Sequence, residues 1–283
     1  MPALETKGFS TLDRRPENAN SGIGALVRRV HAADLLWSEK YLSATPVYSV
    51  FWIVRRIRQT LKRNAHVAHG RLLDVGCGLK PFADIFAPHV TEHVGLDYSP
   101  ESGYRGNSAE VCGDAARLPF ADGSFDTILC TEMLIHLPEP TDAIREFARV
   151  LAPGGILITT AAFVYPINDR NDYFRFGPHA LATAMKNSGL EVDLVHPMTG
   201  TAVTLAAMIN LYWYDRYFLW NKVLYPVGLL LRPLLWLVCL IVNMLGGLFE
   251  LIMPDRSMSF DHLTVAHKPA KPEAGASNAG AYR

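Results

Sequence analysis

The sequence predicts an α/β fold, a parallel sheet with helices on both faces and a ligand at the carboxyl ends of its strands. Leu72-Leu73-Asp74-Val75-Gly76-Cys77-Gly78 is an apolar run that ends in an acid and a short glycine turn. A buried strand ends this way where it delivers a ligand to the chain behind it, because glycine lets the backbone pass close to a group that a side chain would obstruct. Val94-Gly95-Leu96-Asp97 repeats the pattern. Asp97 lies about twenty residues past the turn, the spacing of a ribose-binding acid in a βαβ nucleotide site. A third observation sets the chain apart from a plain α/β domain: a long apolar stretch, Thr199 to Met253, stands between two strand-like runs.

The elements follow in order. Residues 1–22 are polar and lack periodicity, so they are expected to be disordered. Residues 23–69 hold one or two helices. The second begins near Thr45-Pro46 and carries Val47, Val50, Phe51, Val54, Ile57 and Leu61 at three- and four-residue steps. Its C-terminal part bears Arg55, Arg56, Arg58, Lys62 and Arg63, which suit the helix dipole. That basic face reads equally as a solvated surface or as contact to an anionic membrane or phosphate. Leu79 to Phe86 is expected to open a helix, with Pro81 as an early residue. In a dinucleotide-type G-x-G-x-x-G, Pro81 would occupy the third glycine position, which counts against a nicotinamide or flavin cofactor.

Further on, Gly113-Asp114-Ala115 precedes Leu118-Pro119-Phe120 and Gly123-Ser124-Phe125-Asp126. Asp126 is expected to cap or orient the strand that follows. Thr127-Ile128-Leu129-Cys130 is that strand, with Glu132 and His136 just beyond it. Ala143 to Leu151 has helical spacing, with Ile144, Phe147, Ala148 and Leu151 on one face. A turn is expected at Pro153-Gly154-Gly155, then a buried strand over Ile156 to Thr160. Leu190 to His196 and Phe260 to His267 read as two more strands. The tail, 269–283, is too poor in large apolar groups to fold alone.

Composition bounds the function. Lys plus Arg and Asp plus Glu each number 27 in 283 residues, so no net basic field favours nucleic acid. The four cysteines, Cys77, Cys112, Cys130 and Cys239, form no C-x-x-C pair. That fits a reducing cytosol better than a disulfide framework, and no metal site is expected. Glu5, Asp13 and Pro16 stand where a signal peptide would need an apolar run, so secretion is not expected.

Taken together, the motifs resemble those of class I S-adenosylmethionine-dependent methyltransferases, whose pattern reads D-V-G-C-G, then G-D-A with L-P-F and S-F-D, then R-V-L-x-P-G-G. The matches are Asp74 to Gly78, Gly113 to Ala115, Leu118 to Asp126 and Arg149 to Gly155. The resemblance implies a Rossmann-like seven-stranded sheet and S-adenosylmethionine as cofactor. It places Asp74, Gly76 and Gly78 at the methionine end of the cofactor, with Cys77 in the same turn. It places Asp97 at the ribose hydroxyls, Tyr98 against the adenine, and Asp114 with the Ala115 backbone at the adenine edge. Glu132 to Leu134 would floor the reactive methyl.

In this family the last two strands form an antiparallel hairpin at the sheet edge. Here residues 199–258 form an apolar helical insert within it, so the methyltransferase domain is split into 70–198 and 259–268. Pro233 to Met253 is long enough, at about 1.5 Å per residue, to cross about 30 Å of hydrocarbon. A single crossing would strand the last strand on the wrong side. An insert meeting lipid is therefore expected to enter and leave on one side, with Trp213, Tyr214 and their aromatic neighbours at headgroup level. Three readings stay open for it: a buried pair or homodimer contact, a membrane dock, and a lid or tunnel over an apolar substrate.

The segment Phe163 to Phe176 resembles a loop of methyltransferases encoded among bacterial cell-surface glycan genes, with Asn168 where a His often stands. Asp172, Tyr173 and Arg175 match the rest of it. Arg175 is a candidate clamp for a phosphate or carboxylate. Asp169, Asp172 and His136 are candidates to accept a hydroxyl proton. The expectation is a methyltransferase on the cytosolic face of the membrane, acting on a hydroxyl of a small-molecule, glycan or lipid-linked acceptor. The alternatives are a soluble-metabolite methyltransferase and a cofactor-binding scaffold that acts through the insert.

Overall fold

The structure, a computed structural model, describes residues 45–98, 108–167, 171–221 and 225–270. The expected disordered N-terminus, the first N-terminal helix and the tail from 271 lie outside the described residues. In chain order the elements are α1 (Phe51–Asn64), β1 (Arg71–Val75), α2 (Ala83–Phe86), β2 (Glu92–Asp97), β3 (Val111–Cys112), β4 (Phe125–Thr131) and α3 (Pro140–Val150). They continue as β5 (Leu151–Ala162), α4 (Pro178–Asn187), β6 (Glu191–Pro197), α5 (Thr201–Asn221), α6 (Tyr225–Ile252) and β7 (Asp261–His267). The seven strands lie in the order β3-β2-β1-β4-β5-β7-β6. Only β7 runs against its neighbours.

Side chains alternate across a strand, so each buried strand feeds two cores. Leu73, Ile128 and Leu157 point to the face covered by α3 and α4, against Ile144, Phe147, Leu181 and Met185. Their neighbours Leu72, Leu129 and Ile158 point to the other face, against Leu61 of α1 and Phe86 of α2. Each such side chain, fully buried, contributes roughly 1.5–3 kcal/mol. At the amino edge of the sheet Asp126 accepts the Arg71 N–H at 2.8 Å, tying β4 to β1.

Three boundaries differ from the sequence reading, each because a tertiary bond overrides the local pattern. α1 begins at Phe51, not near Thr45, because the Asn243 side chain donates to the carbonyls of Pro46 at 2.8 Å and Tyr48 at 2.9 Å and holds that stretch in turns. α2 is a single turn. The chain before it folds back at Lys80, whose φ is 52° and whose ammonium reaches Glu110 at 2.6 Å. The Pro153-Gly154-Gly155 turn lies inside β5, not before it: Phe125 pairs with Leu151 but Thr127 pairs with Ile156, so the intervening residues loop out of register.

The insert is a helical hairpin. Gly246 lets α6 approach α5 closely, since a Cβ there would sit 2.6 Å from that of Ala206. Thr201 N–H donates to the Asp255 carbonyl at 2.8 Å, so the hairpin leaves and rejoins the sheet at one place. β6 runs parallel to the main sheet, which puts that place on the carboxyl edge, where ligands bind in open α/β sheets.

Candidate active site

The carboxyl ends of β1, β2 and β3 make the first half of the site, largely from main chain. Gly76, at φ +72°, donates its N–H to the Leu96 carbonyl at 2.8 Å, and a Cβ on it would lie 2.5 Å from Met133. Gly78, at φ +49°, has open space where a Cβ would be, and its N–H donates to Asp97 Oδ2 at 3.0 Å. Asp97 Oδ1 accepts the Tyr98 N–H at 2.7 Å. One carboxylate is thus pinned at both oxygens by backbone, with further lone pairs to offer. The Tyr98 ring stands 73% exposed beside it. Asp114 is exposed and accepts the Ala116 N–H at 2.9 Å, while Ala115 is buried.

Two of the expected residues at this edge sit differently. Asp74 is buried and accepts from His93 Nε2 at 3.0 Å, so one of its oxygens is already engaged. Burial raises its carboxyl above the usual range. Cys77 is buried too, and burial pushes its thiol up to about 12, which suits packing and not nucleophilic chemistry.

The second half lies across β4, β5 and β7. A cavity of about 220 Å³ is walled by Val50, Ile53, Ile57, Ile135, Tyr165 and Phe260, and carries Glu132, His136 and Asp261. Glu132 has φ +53°, a conformation a non-glycine residue enters at a cost of roughly 1–2 kcal/mol. Its N–H donates to the Thr160 carbonyl at 3.1 Å, which helps hold it there. Glu132 Oε1 and Asp261 Oδ1 are both buried without a hydrogen-bond partner. Burial raises both carboxyls: Glu132 to about 7, against hydrogen bonds from Thr160 and Ala162, and Asp261 well above its usual range, with the Glu132 charge adding to it. The Arg175 charge opposes the rise in each.

The other expected acceptor-side residues are spread unevenly around this cavity. His136 lines it, with Nδ1 3.3 Å from the Asn171 carbonyl. A carbonyl only accepts, so Nδ1 carries the proton in that contact and Nε2 is left as a base. Asp169 lies outside the described residues. Tyr173 is exposed, and its N–H donates to the Ile135 carbonyl at 2.9 Å. Asp172 and Arg175 correct the sequence reading. They form a bidentate pair with each other, and Arg175 also donates to the carbonyls of Tyr165, Phe174 and Pro166. Those five bonds use all five guanidinium N–H groups, so no donor remains to clamp a substrate phosphate. Asp261 was absent from the sequence reading. Its only signal there is position, as the first polar residue of the strand that follows the insert.

A mostly parallel nucleotide-type sheet with a carboxylate at the end of β2 has the layout of a class I S-adenosylmethionine-dependent methyltransferase. The comparisons agree. Residues 73–159 match the model of a family described as Methyltransferase domain. The chain is 33% identical over 167 residues to a ubiquinone biosynthesis O-methyltransferase of Xanthomonas euvesicatoria pv. vesicatoria, an alignment covering 47% of this chain and 67% of that one. It is 35% identical over 115 residues to the methyltransferase GfsG of Streptomyces halstedii, covering 36% of this chain and 41% of that one. The solved structure of the [4+2]-cyclase SpnF superposes with a TM-score of 0.50 at 22% identity, covering 76% of this chain and 81% of that one, and shows the shared fold. The chain belongs to the class I S-adenosylmethionine-dependent methyltransferases. S-adenosylmethionine is its cofactor, and the pinned carboxylate of Asp97, the open space over Gly78 and the exposed Tyr98 ring fit it.

Proposed function

We propose that this enzyme methylates a hydroxyl group of an apolar, lipid-linked acceptor at the cytosolic face of a membrane. The observation that carries the reading is the apolar cavity that holds two buried carboxyl groups, each with one oxygen that has no hydrogen-bond partner, next to a hairpin whose outer face is also apolar. On this reading Asp97 accepts the ribose hydroxyls, Gly76 and Gly78 bring the backbone close to the methionine end, and Tyr98, Asp114 and Ala115 flank the adenine. When bound, S-adenosylmethionine supplies an activated sulfonium methyl group, so positioning and proton removal are what the chain must add.

Glu132 and Asp261 take the acceptor proton. They titrate as a pair, because two carboxyls in one dry cavity cannot both ionise cheaply. Burial raises both carboxyls, so the pair keeps a proton to higher pH than free carboxylates do and can take one from the acceptor near neutral pH. His136 Nε2 is a second base at the same cavity. Arg175 is a positioning residue. Locked by Asp172, it lends positive charge to both carboxyls without touching the acceptor.

The same reading divides the chain into a methyltransferase unit, 70–198 with 259–268, and the hairpin, 199–258, as its membrane-facing part. Leu230–Ile252 is long and apolar enough to cross a membrane, with a mean hydropathy of 2.1 and 17% of that stretch buried, which supports the membrane-facing reading. The aromatic residues Tyr212 and Trp213 stand exposed on α5. The named O-methyltransferase relative acts in ubiquinone biosynthesis, which supports oxygen as the acceptor atom. The test is transfer of radiolabelled methyl from S-adenosylmethionine into membrane extracts, with Asp97→Ala as the blank. Label in the organic-solvent phase is expected. Label confined to the aqueous phase would replace the lipid-linked acceptor with a soluble one.

A further inference from the structure

A second, positively charged groove lies on the far side of α1 from the acceptor cavity. Val50, Ile53 and Ile57 face the cavity, while Arg56, Gln59, Thr60 and Arg63 line a groove of about 350 Å³ that continues to His196, Leu251, Pro254 and Arg256. Arg56 stacks on Trp52, its guanidinium carbon 5.5 Å from the ring centre, and its Nε is buried without a hydrogen-bond partner. Arg63 and Arg256 line the same groove as His196, and their charges, after burial, make that imidazole less basic than usual. The acids in the groove are already engaged. Asp255 accepts from Thr201 and Ser257, and Glu250 accepts from the Val203 N–H. No ion pair satisfies Arg56, Arg63 or Arg256 among the described residues.

The groove adjoins an exposed apolar stripe. Leu234, Leu237, Ile241, Leu245, Leu248 and Ile252 recur at three- and four-residue steps along α6 and all are exposed. Arg55, Arg56 and Arg63 share one surface hollow with Met244, Leu248 and Leu251. Free guanidinium groups beside an unpartnered apolar helix match an interface in which phosphate lies next to acyl chain. We propose that the groove between α1 and the C-terminal end of α6 binds the phosphate of an anionic lipid headgroup and thereby seats the α6 stripe in the bilayer. This rests on the reading that the hairpin meets a membrane, and adds to it a charge-selective site.

The experiment is flotation of the full chain with vesicles of phosphatidylcholine alone and of phosphatidylcholine with phosphatidylglycerol. It compares the wild type with Arg63→Ala, with Arg63→Ala/Arg256→Ala, and with Arg145→Ala on α3 as an equal-charge control. Calorimetric binding of S-adenosylhomocysteine checks that each variant is folded. The wild type is expected to prefer the anionic vesicles, and each groove arginine removed should lower that partitioning roughly fivefold. Arg145→Ala should leave it unchanged. High salt should weaken wild-type binding to anionic vesicles without help from any variant, as the Debye length falls from about 10 Å at 0.1 M to about 3 Å at 1 M. Equal flotation on both vesicles, or a double variant that floats like wild type, overturns the site while leaving the membrane reading standing. A wild type that floats on neither overturns both.

Discussion

The two halves of the active-site edge are built in opposite ways. On the β1–β2 side the polar atoms are satisfied: Asp97 by two backbone N–H groups, Asp74 by His93, and Lys80 by Glu110. On the β4–β5–β7 side Glu132 Oε1 and Asp261 Oδ1 are buried with no partner at all. A buried polar atom without a partner costs about 1–3 kcal/mol, more for a charged group. On the proposed reading that difference separates the half that holds the cofactor from the half that takes the acceptor proton.

The predictions press on that division, the largest effect first. Glu132→Gln/Asp261→Asn should lower methyl transfer roughly 10²–10⁴-fold, the range for loss of general-base catalysis, with label incorporation as the measure. If the carboxylates were merely structural, transfer would follow stability and not fall further. Asp97→Ala should weaken S-adenosylhomocysteine binding about ten- to a hundredfold by calorimetry, since it removes an acceptor of charge-assisted hydrogen bonds and also unpins Gly78 and Tyr98. Unchanged affinity would break the assignment of the first half.

A stability measurement sharpens the contrast without any substrate. A carboxyl raised in the folded state binds its proton more tightly there than in the unfolded chain. Its contribution is therefore fully present at low pH and is lost as pH rises from about 4.5 through about 7 for Glu132. Over that window the pair's contribution should fall by up to about 1.4 kcal/mol per pH unit per group, while the imidazoles of His196 and His262, less basic than usual through burial, push the other way. The pair is therefore read from the difference between wild type and the double amide variant, whose stability should fall less with pH. A variant with the same pH slope as wild type would contradict the burial assigned to the pair. The smallest effect belongs to a charge at one remove. Arg175→Lys keeps a cation but cannot make the bidentate contact to Asp172, and should move the pH dependence of transfer toward higher pH by less than one unit, with little change in cofactor affinity.

The strand ends of the first half were legible because they are written locally. A glycine turn after β1 and an acid after β2 each announce themselves within a few residues, and the period-2 alternation of Leu72-Leu73 or Ile128-Leu129 needs no tertiary knowledge. In the second half the sequence reading named Glu132 and His136 but not Asp261, which is brought to their cavity only after the whole hairpin has intervened. Arg175 illustrates the converse. Its residue type and loop fit a phosphate clamp, yet its five donors are spent on Asp172 and three carbonyls of its own loop. The start of α1 was misplaced for the same reason, since Asn243, 197 residues along the chain from Pro46, sets it.

The claim that one half of the edge holds and the other reacts is tested most directly by single-turnover methyl transfer into membrane extract, measured beside S-adenosylhomocysteine calorimetry on Asp97→Ala and Asp261→Asn. The account predicts a clean separation: Asp97→Ala loses affinity, whereas Asp261→Asn binds S-adenosylhomocysteine like the wild type and transfers label slowly. An Asp261→Asn protein that transfers at the wild-type rate would contradict it.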